Sequence, residues 1–239
     1  MIKVIISGYG KMGHIIEEQA KKRGHEIVAA IDINNYDDIK GEAFKSADVA
    51  IEFSRPESAV GNILNCFAAG VPVVSGTTGW TKEMDKVKEE MKKADGALLW
   101  SSNFSVGVNI FFALNKYLAK IMNNFKMYDV DMTEIHHIHK LDAPSGTAIT
   151  LAEGILENLD RKNSWKLDKA ENDSEIAIKA VREGEVPGTH IIHYDSEVDS
   201  ITITHEAKSR AGFALGAVIA AEFLAGKKGF YDMKSIFDF

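Results

Sequence analysis

The sequence predicts an α/β chain: a parallel-sheet domain first, then an α+β domain with an open mixed sheet. Three observations carry that reading. Short apolar strands alternate with helices through the first hundred residues, and a glycine-rich turn joins the first strand to the first helix. After residue 175, alternating segments follow one another with only short turns between them, which suits an open sheet better than a second βαβ unit.

Lys3-Val4-Ile5-Ile6-Ser7 reads as a short buried strand. It runs into Gly8-Tyr9-Gly10-Lys11-Met12-Gly13, a G-x-G-x-x-G turn, and a helix expected over His14–Arg23, ended by Gly24. Glu26–Ile31 is the second strand, closed by Asp32. Strand, glycine turn, helix, strand and acid together form the fingerprint of a Rossmann-type dinucleotide site. Gly8 allows the tight turn, Gly10 lets backbone approach a pyrophosphate, and Gly13 lets helix and strand pack closely. Asp32 stands where a carboxylate accepts hydrogen bonds from both hydroxyls of an adenine ribose, and it would repel a 2′-phosphate. Ile33, Asn34 and Asn35 follow it, with no arginine. NADH is therefore favoured, while Lys11 in the glycine loop leaves use of NADPH open.

The alternation continues. Asp48–Phe53 is a strand, Pro56–Ala69 a helix, Val71–Ser75 a strand, Lys82–Ala94 a helix and Ala97–Trp100 a strand. Ligands of such sheets sit beyond the carboxyl ends of the strands. Gly76, Thr77 and Thr78 occupy one such end, and Ser101, Ser102, Asn103 and Phe104 another. Both are expected to reach the nicotinamide half of the cofactor, although ordinary βα turns have the same composition.

Val108–Met122 is an apolar helix, and Met127–His137 alternates as a strand. A helix to about Leu159 and a polar stretch at Asp160–Ser174, expected to be a long surface loop, come next. Ile176–Arg182, His190–Ser196 and Asp199–Glu206 are strands. Phe213–Ala225 is a helix, and Phe230–Ile236 is a short tail returning to the first domain. The expected domains are residues 1–104 completed by 213–239, for dinucleotide binding, and 105–212, for substrate binding and oligomerisation. One face of the second sheet packs on helices, and the other is available to copies of itself.

The densest chemistry lies at Glu134–Ala148, E-I-H-H-I-H-K-L-D-A-P-S-G-T-A. A strand ends there, and an apolar helix starts after Ser145-Gly146-Thr147. The first amides of a helix and its dipole favour an anion, and Lys140 adds a full positive charge. A carboxylate is expected between Lys140 and the amides and hydroxyls of Ser145, Gly146 and Thr147. His136 and His137, as strand neighbours, face opposite sides and take different roles. Histidine titrates near neutrality, so one of them can move a proton. Three plainer readings compete: packed core histidines, a zinc site from His137, His139 and Asp142, and a Ser-Gly-Thr that only caps its helix. The neighbouring lysine and the lack of cysteines oppose zinc, and no metal is expected.

Composition narrows the class. The 239 residues carry 28 basic and 35 acidic side chains, a net charge of −7, which argues against nucleic acid as partner. The single Cys66 suits a reducing compartment. Met1 runs straight into Ile2–Ile6 without signal-peptide architecture, and the longest apolar run, Ala211–Gly226, is broken by Glu222. A cytoplasmic protein with no membrane partner is expected.

These motifs resemble one family. G-Y-G-K-M-G, G-T-T-G at Gly76–Gly79, S-N-F-S-V-G-V-N at Ser102–Asn109, the Glu134–Ala148 stretch, V-R-E-G-E-V-P-G-T-H at Val181–His190, Lys208-Ser209-Arg210 and Gly216-Ala217-Val218 are together similar to the dihydrodipicolinate reductase family. The resemblance covers nearly the whole chain. It implies a homotetramer acting on a small dicarboxylic cyclic imine, with hydride delivered to ring C4 and a proton supplied afterwards. It implies that His136 is the acid/base residue, His137 a substrate contact and Lys140 the proton donor that also holds the substrate. Gly146 and Thr147 match its carboxylate-binding positions, and Gly8–Gly13, Asp32, Gly76–Thr78 and Ser101–Phe104 its cofactor-binding positions. Family members that use NADPH well tend to carry arginine where Ile33 stands. Other classes stay open here: a different Rossmann reductase of dicarboxylic imines or semialdehydes, or a dinucleotide-sensing module that leaves His136 and Lys140 without a use.

Overall fold

The computed structural model describes residues 1–237, so the last two residues of the expected first-domain range lie outside those described. In chain order the elements begin with β1 (Lys3–Ser7), α1 (Lys11–Lys22), β2 (Glu26–Ile31) and a 3₁₀ segment at Ile33–Lys40. Next come α2 (Glu42–Lys45), β3 (Val49–Glu52), α3 (Pro56–Ala68), β4 (Val73–Ser75), α4 (Met84–Lys93) and β5 (Ala97–Trp100). Then follow α5 (Val106–Met122), β6 (Asp129–His136), α6 (Gly146–Leu156), β7 (Ser164–Leu167), β8 (Glu175–Arg182), β9 (Thr189–Asp195) and β10 (Ser200–Glu206). The chain ends with α7 (Ala211–Leu224), β11 (Gly229–Tyr231) and a 3₁₀ turn at Met233–Ile236. Two compact units result, one of Met1–Val106 with the segment from Ala211 onward, the other of Gly107–Arg210.

The first unit is a doubly wound parallel sheet in the order β11-β5-β4-β3-β1-β2. Its strands are apolar on both faces, and alternate residues feed two cores. Val4, Ile6, Val49, Ile51, Val74 and Leu99 face Ile16 and Ala20 of α1 and the alanines of α7. Ile5, Ala50, Val73 and Leu98 face Ile63, Cys66 and Phe67 of α3 and Val87 and Met91 of α4. Continuous apolar runs are what a sheet covered on both sides requires. Burial raises the Cys66 thiol well above its ordinary range, so it packs as an inert apolar side chain.

The second unit is a mixed sheet in the order β10-β9-β6-β8-β7. β9 is antiparallel to both β10 and β6, and β6, β8 and β7 run parallel. One face supplies Val130, Met132, Ile176, Ile178, Ile192 and Tyr194 to a core with α5 and α6. The other face, with Thr133, Ile135, Val181 and Ile191, takes no part in that core. Among the described residues no helix is long and apolar enough to cross a membrane.

Some elements depart from the sequence reading. The stretch expected to be one surface loop, Asp160–Ser174, contains β7. This edge strand pairs only with β8, Trp165 opposite Ile176, so its polar residues face solvent and its pattern is weak. The same stretch buries Lys162, whose ammonium lies 2.6 Å from Asp129 and donates to the Glu175 carbonyl at 2.9 Å. The first helix begins at Lys11, three residues before the expected start. The tail is a strand, β11, hydrogen-bonded to β5 at the sheet edge.

Close approach is tightest at α7. A Cβ on Gly216 would lie 1.6 Å from the Phe104 carbonyl oxygen, whereas one on Gly61, exposed in α3, would meet nothing within 4 Å. Gly216→Ala is expected to cost about 1–3 kcal/mol through forced backbone displacement. Gly61→Ala is expected to stabilise by about 0.5–1 kcal/mol. Urea unfolding of the two variants checks the opposite signs.

Candidate active site

In the first unit the glycine turn has little choice of residue. Gly8 has φ +96°, and a Cβ there would lie 2.2 Å from the Phe53 carbonyl oxygen. A Cβ on Gly13 would lie 2.5 Å from the Gly8 oxygen, while Gly10 faces open space. Gly10 stands before α1 without any side-chain cap, and no acid occupies the first turn. The helix therefore presents its leading amides and positive dipole end to whatever lies in front. In front is a cavity of about 570 Å³, lined by Gly8–Met12 and Asp32 among others. Asp32 is itself held: it accepts from the Ile33 amide at 2.8 Å, and its own amide donates to Asn35 Oδ1 at 2.7 Å. Ile33 is 84% exposed. A glycine cradle, an uncapped helix start and a fixed rim carboxylate fit a dinucleotide.

Sequence reasoning missed other members of this cavity: Tyr36, Ser54, Arg55 and Asn62 also line it. Arg55 immediately precedes Pro56, the first residue of α3, and that helix start was the available signal. Also missed was Glu52, fully buried at the end of β3. It accepts from the Ser54 amide at 3.0 Å, Ser75 Oγ at 2.7 Å, Thr77 Oγ1 at 2.9 Å and Ser54 Oγ. A charge ending the apolar strand Val-Ala-Ile-Glu was its sequence signal.

The expected nicotinamide contacts follow the ends of β4 and β5. Gly76–Thr78 and Ser101–Phe104 do not line this cavity. Thr77 turns its hydroxyl inward, accepting from the Ser54 amide at 2.8 Å as it donates to Glu52, and its carbonyl accepts from the Trp80 and Trp100 indoles. Phe104 is core, tilted against Phe53 with ring centroids 5.5 Å apart. Gly76 leaves room for the Phe53 ring, which a Cβ would meet at 2.1 Å. Asn103 accepts from the Ser105 amide and Ser101 Oγ bonds the Asn103 backbone. Thr78 and Ser102 are the exposed members of the two loops.

In the second unit, strand register builds the chemistry. Glu134 and His136 share the inner face of β6, with His190 of β9 directly across from Glu134, and Arg182 of β8 across from His136. Glu134 has no exposed surface. It accepts from the Ser145 amide on both oxygens, at 3.1 and 3.0 Å, and from Arg182 Nη2 at 3.0 Å. Burial alone would raise this carboxyl; the Ser145 and Arg182 hydrogen bonds outweigh burial and hold it below its ordinary value. His136 Nδ1 lies 3.6 Å from Glu134 and has no hydrogen-bond partner. Burial lowers the His136 pKa, Glu134 opposes that, and Lys140 and Arg182 add to it. His190 stands edge-on to His136 at 5.2 Å and is pushed down to about 4, by burial first and by His136 second. Gly188, at φ +153°, leaves space beside His136, where a Cβ would lie 3.0 Å from Nε2.

The loop that follows carries Lys140, whose ammonium grips Asp142 at 2.7 and 2.9 Å and holds that carboxyl below its usual range. Arg182 reaches across to the Asp142 carbonyl at 2.6 Å. The Ala143–Pro144 peptide is cis, and Ser145 caps α6 by accepting from the Ala148 amide at 3.2 Å. Ser145 is engaged within the unit: its amide serves Glu134, its hydroxyl serves the cap and lies 3.3 Å from His190 Nε2, and 3% of it is exposed. Gly146, exposed, and Thr147, half-buried, form the accessible helix start.

Two other chemistries fit poorly. Glu134, His136 and His190 converge within 4.8 Å, but Arg182 and the Ser145 amide already occupy the carboxylate, and the guanidinium opposes a cation. Ser145 and Glu134 both approach the same nitrogen of His190, Nε2, whereas a nucleophilic triad needs them on opposite nitrogens. His137 and His139 stand 5.9 Å apart, and His139 pairs with Glu185 at 3.0 Å.

The comparisons with known proteins follow the same division. Residues 2–104 match the family model for the dihydrodipicolinate reductase N-terminus, and residues 107–237 that for its C-terminus. A 4-hydroxy-tetrahydrodipicolinate reductase of Christiangramia forsetii is 52% identical over 237 residues, covering 98% of this chain and 97% of its own. One from Caldanaerobacter subterraneus is 38% identical, covering 99% and 98%. A solved dihydrodipicolinate reductase from Paenisporosarcina sp. TG-14, with dipicolinate bound, shares the fold at a TM-score of 0.82 and 24% identity, over 99% of this chain and 100% of that one. With both units matched and more than half the residues identical to a full-length relative, the chain belongs to the dihydrodipicolinate reductase family of NAD(P)H-dependent oxidoreductases.

Proposed function

We propose that this protein is a 4-hydroxy-tetrahydrodipicolinate reductase of the diaminopimelate route to lysine, cytoplasmic and favouring NADH over NADPH. The observation that carries the reading is the second unit's loop: a buried histidine, a lysine and an accessible helix start lie within twelve residues, His136 to Thr147. This set matches a substrate with two carboxylates on an unsaturated ring. Residues 1–104 and 213–239 serve as the dinucleotide-binding domain, and 105–212 as the substrate-binding and oligomerisation domain.

Gly8–Gly13 and the start of α1 would hold the cofactor's pyrophosphate, and Asp32 its adenine ribose. Gly76, Thr78, Ser101 and Ser102 are assigned to its nicotinamide half. When bound, the cofactor supplies a hydride, which the substrate takes at ring C4 once its 4-hydroxyl has left as water and the ring is unsaturated there. Lys140 exchanges its Asp142 partner for a substrate carboxylate, a charge-assisted contact of equal kind. The Gly146 and Thr147 amides hold the same end through the helix dipole, and His137 contacts the substrate. Protonation of the reduced ring falls to Lys140 or His136. The sheet face bearing Thr133, Ile135, Val181 and Ile191, which takes no part in the unit's own core, is assigned to contacts between four copies.

Four measurements test this. Substrate made in situ from pyruvate and aspartate semialdehyde by the preceding synthase should drive oxidation of reduced nicotinamide, and oxidation independent of the synthase would overturn the reading. Lys140→Ala should lower turnover by at least ~10²-fold, a general acid's contribution, with a near-normal rate removing Lys140 from the chemistry. Ile33→Arg should raise the NADPH to NADH preference by at least ~10-fold, as a charged contact to the 2′-phosphate of about 1.5–3 kcal/mol allows. Light scattering on the eluting protein reads the number of copies.

A further inference from the structure

Glu134 joins four members of the second unit's site, Ser145, Arg182, His136 and His190. It binds the Ser145 amide at the start of α6, pairs with Arg182, which also holds the Asp142 carbonyl, and faces His136 Nδ1 at 3.6 Å and His190 Nε2 at 3.9 Å. A packing role alone would not need a carboxylate with no exposed surface, since burying a charge is costly unless several donors meet it. We propose that Glu134 is a positioning residue for the reduction: its carboxylate sets the orientation and proton affinity of His136 while pinning the loop that carries Lys140. This deepens the reductase reading and rests on it.

The surroundings of His136 make the carboxylate decisive. From β8 it meets the Arg182 guanidinium, from β9 the His190 ring, and from its own loop Lys140 with Asp142. Burial and the two cations all disfavour an imidazolium, and Asp142 offsets them weakly. Glu134 is the larger opposing influence and lies closest. His190, pushed down to about 4, is neutral near pH 7 and cannot compete for the proton. Gly188 keeps the Nε2 side clear. The ring is thus held with Nδ1 toward the carboxylate and Nε2 away from it.

The test is E134Q. Glutamine keeps an acceptor for the Ser145 amide but removes the charge. An anion 3.6 Å away favours protonated His136, so losing it lets the proton leave at lower pH. The pH-rate limb that reports His136 should move acidward by about one unit or more. Turnover should fall by at least ~10-fold, part of a general acid's ~10²–10⁴-fold contribution, while KM changes by less than ~3-fold because the loop bond survives. Wild-type turnover with an unmoved limb would overturn the proposal. Should E134Q fail to fold, E134D carries the test. There the charge is restored one methylene short, so turnover should fall with the limb in place, and wild-type turnover in E134D would overturn the proposal. An inactive wild-type enzyme would instead remove the reductase reading itself, so the two failures are distinguishable.

Discussion

Glu134 has four donors or rings around it and no exposed surface, and most of the second unit's site is arranged to satisfy it. The Ser145 amide would otherwise be an orphan at a helix start. Bound to Glu134, it fixes where α6 begins and so where Gly146 and Thr147 present themselves. Arg182 neutralises the same carboxylate and extends to Asp142, which in turn engages Lys140. A chain of four residues thereby links a strand in the sheet to a half-buried lysine. The first unit solves the same problem at Glu52, whose oxygens gather Ser54, Ser75 and Thr77. In each unit a buried carboxylate closes a strand and dictates the shape of the loops beyond it.

How much of this was legible in the sequence follows from the range of the interactions. Gly8, Gly10 and Gly13 were readable because their constraints arise from local backbone geometry and helix packing. The Lys140 and Gly146–Thr147 arrangement was readable because ligand-binding potential there depends on residues adjacent in the chain. The inward hydrogen bonds of Thr77 and Ser145 have no sequence signal, because their partners are distant: Glu52 lies 25 residues before Thr77, and His190 lies 45 after Ser145. Phe104 was read as a loop residue and is core, since its burial depends on α7, more than a hundred residues on. β7 was invisible because an edge strand with one neighbour needs little apolar patterning.

The two halves of the chemistry also differ in how their charge is arranged. The dinucleotide cavity presents the positive end of α1 with no acid in its first turn, and keeps its carboxylate, Asp32, on the rim. The second unit keeps its carboxylate at the centre and its cations, Arg182 and Lys140, around it. One arrangement suits a ligand whose charge is met by backbone dipoles. The other suits an anion met by cationic side chains.

The first unit is assembled from the two ends of the chain, with the second unit encoded between them. Ala214, Ala217, Val218, Ala220, Ala221 and Leu224 complete one of its two cores. A ribosome therefore delivers β1 to β5 long before the helix that covers one side of them. Until α7 emerges, Val4, Ile6, Val49, Ile51 and Leu99 have one face without its cover, an aggregation hazard of the kind chaperones bind. The second unit, continuous in sequence, has all its strands and helices available first. Synthesis thus favours a second unit that folds while the first waits for its last helix.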